Sequence, residues 1–451
     1  MRSKTSALST LTACLLALAP LAAQEKTQLE LILERLAKLE AQNEALQKEV
    51  TSLRRQLNPG NVPLVETVEV QKTQIREQAQ TKVEAASKQP LAITGTLLMN
   101  SYWNGRNNGG AINSSSAALL ASPRAAGITA SQTIIGLRFE SPQTILGADV
   151  TGYAMIDFFD TNPRTGTPPR QQSRHLADYP RLRVANIEMA WKNTSLSFGQ
   201  EKPLISHRDP TTFAQVGVAP ATSAGNPWLW QPQVRVEQRF NLNESTQLKA
   251  QGSIYQTAEE SAAVPAAFAD SLAPSRPGWQ GRLALNRKSG GETSWELAPV
   301  IHASTTQVAA TSVPSRLYGV DWLWAPTDRL TFTGLLFTGK NIAHMGTNRQ
   351  GFTILGLRTV RPTNSKGGWG QVSYQFTPRL AANVYSGQHD DKNSDLATGG
   401  VGKNFLYAGN LIYRIATNVT ISFEASQVRT DYIRLGRRLK NHYDLSLAYQ
   451  F

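Results

Sequence analysis

The chain has 451 residues, of which 40% are hydrophobic, and its formal net charge is +13 at pH 7. The mean hydropathy of −0.32 excludes a protein made of many membrane-spanning helices, because each such helix needs about 20 mostly apolar residues. The single cysteine, Cys14, lies in the first apolar run, which excludes disulfide bonds and thiolate metal sites from the rest of the chain.

Residues 1–23 have the layout of a secretory signal peptide. A basic start precedes an apolar stretch, and the small residues Ala22 and Ala23 precede Gln24, which predicts cleavage after Ala23. The apolar run is too short for a retained membrane anchor. The stretch LTAC around Cys14 resembles a lipoprotein cleavage box, but the apolar residues lie mainly after the cysteine rather than before it. We therefore expect export from the cytoplasm.

Residues 24–58 are predicted to form a coiled coil, because apolar residues repeat with 3-4 spacing over four heptads. The a and d positions are Leu29, Ile32, Leu36, Leu39, Asn43, Leu46, Val50, Leu53 and Leu57. Opposite charges in the g-to-e relation, such as Arg35 and Glu40, favour parallel chains. The heptads predict a homo-oligomer and leave dimer and trimer open. The alternative is an ordinary amphipathic helix that packs on its own domain.

The proline- and glycine-containing stretch NPGNVP (58–63) ends this predicted helix. Residues 59–90 are rich in Gln, Lys and Glu, and we interpret them as a linker or as a weak second helix. The predicted domains are thus a signal peptide (1–23), a coiled coil (24–58), a linker (59–90) and a β-domain (91–451).

Residues 91–451 alternate between apolar and polar side chains in strand-sized pieces, separated by spacers that are alternately short and long. The short spacers are 141–144, 192–194, 241–245, 288–292, 325–328, 377–379 and 416–418, and the long ones lie near 104–128, 160–179, 204–227, 257–276, 305–313, 340–367, 389–403 and 429–440. Seven turns and eight loops connect sixteen strands. Residues 351–361 look like a seventeenth strand, but a bacterial barrel has an even number, so we assign them to the sixth long loop.

The alternation and the aromatic residues near strand ends predict an all-β transmembrane antiparallel β-barrel. Those aromatic residues are Phe158, Phe159, Trp228, Trp230, Trp322, Trp324, Tyr443 and Phe451. An apolar exterior, a polar lumen and aromatic girdles are typical of such barrels, and only closure satisfies the backbone of a sheet in lipid. A soluble sandwich would turn its polar face outward, and its loops need not alternate in length.

The last eleven residues, NHYDLSLAYQF, resemble the closing strand of an outer-membrane barrel, which typically ends in Phe. The resemblance implies that the barrel-assembly machinery recognises Phe451. The heptads between Leu29 and Leu57, the first strand LAITGTLLMNSYW (91–103) and SLSFGQEKP (195–203) together resemble the DcaP-like porins, trimeric channels of Gram-negative outer membranes. Phosphate-selective porins share the same gross plan.

This resemblance implies a bacterial outer-membrane location, a periplasmic coiled coil and a trimer. It also implies that the third long loop, residues 204–227, folds into the lumen and narrows the pore. The candidate constriction residues in that loop are His207, Arg208 and Asp209.

Charge favours anionic solutes. Residues 24–90 hold ten Lys and Arg against ten Asp and Glu, so the positive excess of the exported chain lies in residues 91–451. Besides Arg208, the alternation assigns six cations to the lumen: Arg138, Arg235, Arg239, Lys249, Arg282 and Arg414. A pore lined by cations concentrates anions. We therefore expect passive diffusion of small anionic solutes, with mono- and dicarboxylates implied by the resemblance.

Other interpretations stay open at this point. In one alternative the loop cations bind lipopolysaccharide phosphates or pair with Asp149, Asp157, Glu237 and Glu296, which leaves a non-selective porin. A phosphate-type porin is another alternative. A structural tether between the outer membrane and the cell wall through the coiled coil is a further alternative. Six scattered histidines and the lack of GxSxG or HExxH argue against an enzyme, and we expect no cofactor, metal or nucleic-acid partner. HDDKNSD (389–395) resembles a calcium loop, but Leu396 stands where Gly is needed, so we expect a solvated loop.

Overall fold

The computed structural model describes residues 41–42, 44–49, 91–160, 179–257, 277–290, 292–308, 311–347, 350–356 and 358–451. The chain divides into two compact units, Met1–Ala85 and Ala86–Phe451. In the first unit the described residues are helical. Within the part of the chain that the structure describes, no helix is long and apolar enough to cross a membrane.

One heptad position, Leu46, falls within the described residues, where it is helical and exposed. The predicted signal peptide and linker lie outside the described residues, as do Leu29, Ile32, Leu36, Leu39, Asn43, Val50, Leu53 and Leu57. The coiled coil therefore stays a prediction.

The second unit is built of β-strands. They are β1 (Leu91–Asn104), β2 (Ala125–Thr129), β3 (Ile134–Glu140), β4 (Asp149–Asp160), β5 (Tyr179–Ala190), β6 (Thr194–Glu201), β7 (Gln231–Asn241), β8 (Thr246–Gln256), β9 (Pro277–Ser289), β10 (Glu292–Val308), β11 (Thr311–Thr327), β12 (Leu330–Lys340), β13 (Phe352–Gly356), β14 (Thr359–Pro362), β15 (Asn364–Thr377), β16 (Leu380–Asp391), β17 (Val401–Arg414), β18 (Val419–Tyr432) and β19 (Gly436–Gln450). Two short 3₁₀ helices, Ala343–Met345 and Asn393–Asp395, lie in loops.

The strands close into an antiparallel barrel. β2 and β3 both pair with β1 and form one spanning strand with a short interruption, while β13 and β14 pair only with each other. The described residues therefore contain sixteen spanning strands, as predicted, and residues 351–361 belong to a hairpin in the sixth loop. β19 pairs with β1 to complete the ring, and Gly95 and Phe451 exchange backbone hydrogen bonds of 3.0 and 3.2 Å.

The two faces of each strand differ as the alternation predicts. In β19 the outward side chains of Tyr443, Leu445, Leu447 and Tyr449 are 41–49% exposed, whereas those of His442, Asp444, Ser446 and Ala448 are at most 2% exposed. The exterior is thus apolar and the interior mostly polar.

Aromatic side chains form two belts on the exterior. The belt nearer the short turns contains Trp324, Tyr374, Phe376, Tyr413 and Tyr449, and the belt nearer the long loops contains Trp103, Trp279, Tyr318, Tyr407 and Tyr443, all of them exposed. Three aromatic assignments were wrong. Trp228 and Trp230 lie in the loop between β6 and β7, and Trp228 is 6% exposed. The ring of Phe159 faces inward, 5.9 Å from the guanidinium carbon of Arg181.

The seven short turns lie together at one end of the barrel, the short-turn end, as predicted. At the other end of the barrel, the long-loop end, the prediction of a long loop is wrong in two places. β10 and β11 pair as far as Val308 and Thr311, and β18 and β19 pair as far as Tyr432 and Gly436. Residues 305–313 and 429–440, which were predicted to be loops because they are polar, therefore extend two β-hairpins.

Candidate functional site

The loop between β6 and β7, residues 202–230, runs through the interior of the barrel, and we name it the inner loop. Near its start, the backbone N–H of Leu204 donates a hydrogen bond to Gln280 Oε1 on β9 at 2.6 Å. Further along, the N–H of Thr211 donates to Gln371 Oε1 on β15, also at 2.6 Å. The inner loop thus contacts two separate parts of the wall within eight residues.

The middle of the inner loop reaches three further strands. The Thr212 hydroxyl donates to Glu424 Oε2 on β18 at 2.5 Å, and Asn100 Nδ2 on β1 donates to the Phe213 carbonyl at 2.9 Å. Arg181 on β5 donates to the carbonyl of Gly217. Since β9, β15, β18, β1 and β5 are spread around the ring, the inner loop crosses the lumen.

Gly225 lets the inner loop approach the wall closely. Its φ is +100°, and a Cβ there would lie 2.2 Å from the carbonyl oxygen of Gly368 and 2.5 Å from that of Gln388. Only glycine fits both the backbone conformation and the space.

Apolar side chains hold the inner loop against one half of the wall. Ile205, Ala221 and Ala224 of the loop pack with inward side chains of β10–β12 and β15–β18, among them Leu317, Leu335, Phe337, Trp369 and Leu406. The prediction of a polar lumen is therefore wrong for this half, which serves as a packing surface for the loop.

Four alternating charges fasten the inner loop to β9–β11, and we name them the charge cluster: Arg208, Arg282, Glu296 and Asp321. Arg208 binds Glu296 at 2.6 Å and also Asp321. Arg282 binds Glu296 at 2.5 Å and Asp321 at 3.2 Å. Two guanidinium groups face two carboxylates, so the cluster is formally neutral.

The remaining predicted lumen cations divide into paired and unpaired groups. Arg138 lies 2.7 Å from Glu140, with both side chains more than half exposed, and Arg239 lies 3.6 Å from Glu237. In contrast, Arg235, Lys249 and Arg414 make no ion pair with a described residue. Arg235 Nη2 donates to the Lys202 carbonyl at 2.9 Å and to Gln233 Oε1 at 3.2 Å.

The other two candidate constriction residues differ in exposure and pairing. Asp209 binds Lys202 and accepts a hydrogen bond of 3.0 Å from Asn226 Nδ2, so its charge is balanced within the inner loop. His207 is exposed to the lumen, and the positive charges that act on it come from Arg208, Arg235 and Arg282.

A group that the sequence analysis missed lies on β5. Arg181 and Arg183 share one carboxylate, that of Asp157, at 2.6 and 3.2 Å. Both guanidinium groups also lie over the Trp230 ring, 5.3 and 4.7 Å from its centroid, and cation–π attraction favours this placement. Two cations against one carboxylate leave an excess positive charge beside the inner loop. In the sequence, the Arg-x-Arg spacing of Arg181 and Arg183 could have indicated this pair of cations on one strand face.

No metal site emerges from the described residues, which contain no group of three or more His, Cys, Asp and Glu that could hold an ion. The expectation of a solvated loop at 389–395 is wrong for two of its carboxylates. Asp391 accepts a hydrogen bond of 2.5 Å from Ser365, and Asp395 accepts one of 2.8 Å from Asn364 Nδ2. Both aspartates are buried.

Comparisons with solved structures support the fold that the resemblance implied. The chain is similar to the outer-membrane channel DcaP of Acinetobacter baumannii, with a TM-score of 0.63 and 14% sequence identity over 80% of this chain and 97% of that one. It is also similar to the anion-selective porin from Comamonas acidovorans, with a TM-score of 0.54 and 9% identity over 81% of this chain and 100% of that one. No protein-family model and no curated protein matches the sequence.

Proposed function

We propose that this protein is an outer-membrane porin that lets small, preferentially anionic solutes diffuse passively, with mono- and dicarboxylates as the substrate class. The observation that carries the proposal is a closed barrel with an apolar exterior whose lumen is crossed by the inner loop. The short-turn end would face the periplasm and the long-loop end the outside, as in bacterial barrels with short periplasmic turns.

The proposed anion preference does not depend on all the cations that strand alternation assigns to the lumen. It depends on those that lack an equal number of carboxylate partners. Arg208 and Arg282 are neutralised within the charge cluster, so their net effect on a passing ion is small. Arg235, Lys249 and Arg414 have no ion pair in the described chain, and the pair Arg181 and Arg183 has only Asp157. Such cations in a low-dielectric wall raise the local concentration of anions. The anion-selective Comamonas acidovorans porin shares the fold.

The inner loop is proposed as the constriction, with His207, Arg208 and Asp209 as the constriction residues. Arg235 is the first cation to test, because its charge acts on His207 in the same part of the lumen.

Reversal potentials in planar bilayers under a salt gradient test the proposal. We expect anion selectivity for the wild-type protein and a weaker preference for Arg235→Ala. The matched control is Arg287→Ala, which removes the same charge from the outer face of β9, the face that carries exposed Leu283. Cation selectivity of the wild type, or equal effects of the two variants, would contradict the proposed preference.

A non-selective or phosphate-type porin is the second candidate. The pairing of Arg138, Arg208, Arg239 and Arg282 with carboxylates favours a weakly selective pore. Wild-type reversal potentials near zero would support this candidate over an anion channel. If phosphate blocks the conductance and dicarboxylates compete with it for that block, the pore is of the phosphate type.

We further propose that the coiled coil predicted for residues 24–58 lies in the periplasm and assembles a homotrimer, and that the barrel-assembly machinery recognises Phe451. Deletion of residues 24–58 tests the coil: loss of the trimer with conductance retained is expected. Loss of envelope integrity with transport and trimer intact would instead favour a tether to the cell wall.

A further inference from the structure

Cations collect on the outer face of β11–β12 and β15–β19 near the long-loop end. They are Arg316, Lys340, Lys366, Lys403, Arg429 and Arg437. Strand alternation places them on the same face as the exposed residues Tyr318, Leu336 and Leu439.

Few carboxylates balance these six cations. On the same outer face, Asp390 lies 3.9 Å from Lys366, and Asp431 accepts two hydrogen bonds from Arg437 at 2.7 and 3.0 Å. Six cations against two carboxylates leave an excess of four positive charges on this part of the described exterior.

Arg316 and Lys340 make the strongest case for a bound anion. They are direct cross-strand partners in β11 and β12, and like charges in that position destabilise a sheet. Arg316 Nη1 donates to the carbonyls of Ser304 and Ser315 at 2.9 and 2.7 Å, which holds the guanidinium group beside the wall. The partner of Lys340 on β15 is the neutral Asn364. An anion between the two cations would remove their repulsion.

The height of Lys366 matches a lipid head group. Lys366 and Phe376 are ten residues apart on β15, and Phe376 belongs to the aromatic belt near the short turns. At about 3.4 Å per residue and a strand tilt of about 40°, ten residues rise about 26 Å along the barrel axis. The apolar band of such barrels is about 25 Å tall, so Lys366 lies at its upper edge.

A cavity adjoins the cations at this level. Its volume is about 520 Å³, and its lining includes Thr338, Asn364, Lys366, Asp390, Lys392 and Asn393. The hydroxyl, amide and ammonium groups of this lining suit a sugar that carries phosphate, and the carboxylate of Asp390 lies 3.9 Å from the ammonium group of Lys366. The volume lies within the usual range of ligand sites.

We propose that Arg316, Lys340, Lys366 and the adjoining cavity form a binding site for the phosphorylated sugar head group of the outer-leaflet glycolipid, lipopolysaccharide. A phosphate between Arg316 and Lys340 makes charge-assisted hydrogen bonds to both. This site rests on the outer-membrane placement proposed above, but it is independent of which solute the pore passes.

Binding of bisphosphorylated lipid A to the full exported chain, folded in non-ionic detergent, tests the site. The test variant is the double substitution Arg316→Gln/Lys340→Gln. The control is Arg287→Gln/Arg329→Gln, which removes two cations near the short turns. At about fivefold for each cation near a lipid surface, the test variant should bind on the order of 25-fold more weakly. The control should bind like the wild type, and dephosphorylated lipid A should bind both variants and the wild type weakly.

A second measurement separates binding from folding. Without glycolipid, the test variant should unfold at the same temperature as the wild type or higher, because the substitution removes a like-charge pair. Unchanged lipid A affinity, an equal loss in the control, or tight binding of dephosphorylated lipid A would overturn the site. Conductance in pure phospholipid bilayers tests the porin separately, because neither Arg316 nor Lys340 faces the lumen.

Discussion

Removing Arg208 should change both the charge of the lumen and the attachment of the inner loop. Arg208 is 18% exposed, and its partners Glu296 and Asp321 are 5% and 2% exposed. Breaking a buried pair by deleting one partner costs about 3–5 kcal/mol. Because Arg282 still binds both carboxylates, we expect Arg208→Ala to cost somewhat less, roughly 2–3 kcal/mol.

The change in charge has a calculable effect on ions. One unit charge about 7 Å from a passing ion contributes about 0.6 kcal/mol in water, which is a factor of about 2.7 in local concentration. The sign is opposite for anions and cations, so Arg208→Ala should shift the permeability ratio toward cations by about sevenfold at this distance. Salt screens the interaction, so the shift should be largest at low ionic strength.

A second variant separates charge from loosening of the loop. Asp321→Asn also removes a contact of Arg208, but it leaves an excess positive charge and should shift the permeability ratio toward anions. The double variant Arg208→Ala/Asp321→Asn should return near the wild-type ratio while its conductance noise stays raised by the loose loop. Reversal potentials and single-channel recordings in planar bilayers measure both effects. A shift of the two single variants in the same direction would refute the electrostatic reasoning.

Three further substitutions test other contacts of the inner loop. Gly225→Ala should lower thermal stability and raise conductance fluctuations, because its Cβ would collide with Gly368 and the strained backbone alone costs about 1–3 kcal/mol; Gly252→Ala, with no atom within 4 Å of the added Cβ, is the control that should change neither. Glu424→Gln should lower the free energy of unfolding by about 1–3 kcal/mol, since the carboxylate accepts hydrogen bonds from Thr212, Tyr385 and Asn410; an unchanged urea midpoint would contradict this. Trp230→Ala should cost about 1–2 kcal/mol through the lost contacts with Arg181 and Arg183, and thermal unfolding with Trp324→Ala on the outer face as control measures it.

Local patterns predicted the barrel well because the two faces of a strand meet different solvents. Closure of the sheet explains the alternation of apolar and polar residues in β19. It also requires an even number of strands, so residues 351–361 could not be a seventeenth spanning strand. Residues 305–313 and 429–440 were harder, because polar side chains on both faces resemble a loop. Backbone pairing does not depend on side-chain polarity, and the hairpins β10–β11 and β18–β19 continue beyond the apolar band.

The charge pattern of the lumen was less predictable, because it depends on residues far apart in the chain. Arg208 meets Glu296 and Asp321, which follow it by 88 and 113 residues. Parity places a cation on the inner face but does not identify its partner. Trp230 was assigned to the exterior because sequence does not distinguish a girdle aromatic from one in a loop that folds inward.

The two halves of the inner wall contact the inner loop differently, and for the proposed porin this difference predicts which substitutions change selectivity. Side chains such as Leu317, Leu335 and Trp369 on the β10–β18 half pack against the inner loop and leave little wall there for solvent. Under the proposed function, solutes pass beside the half formed by β5–β9, where Arg183 and Arg235 lie. Charges on that half then act directly on solutes, whereas the apolar half acts only by holding the loop in place. Substitutions on the two halves should therefore separate into effects on selectivity and effects on stability.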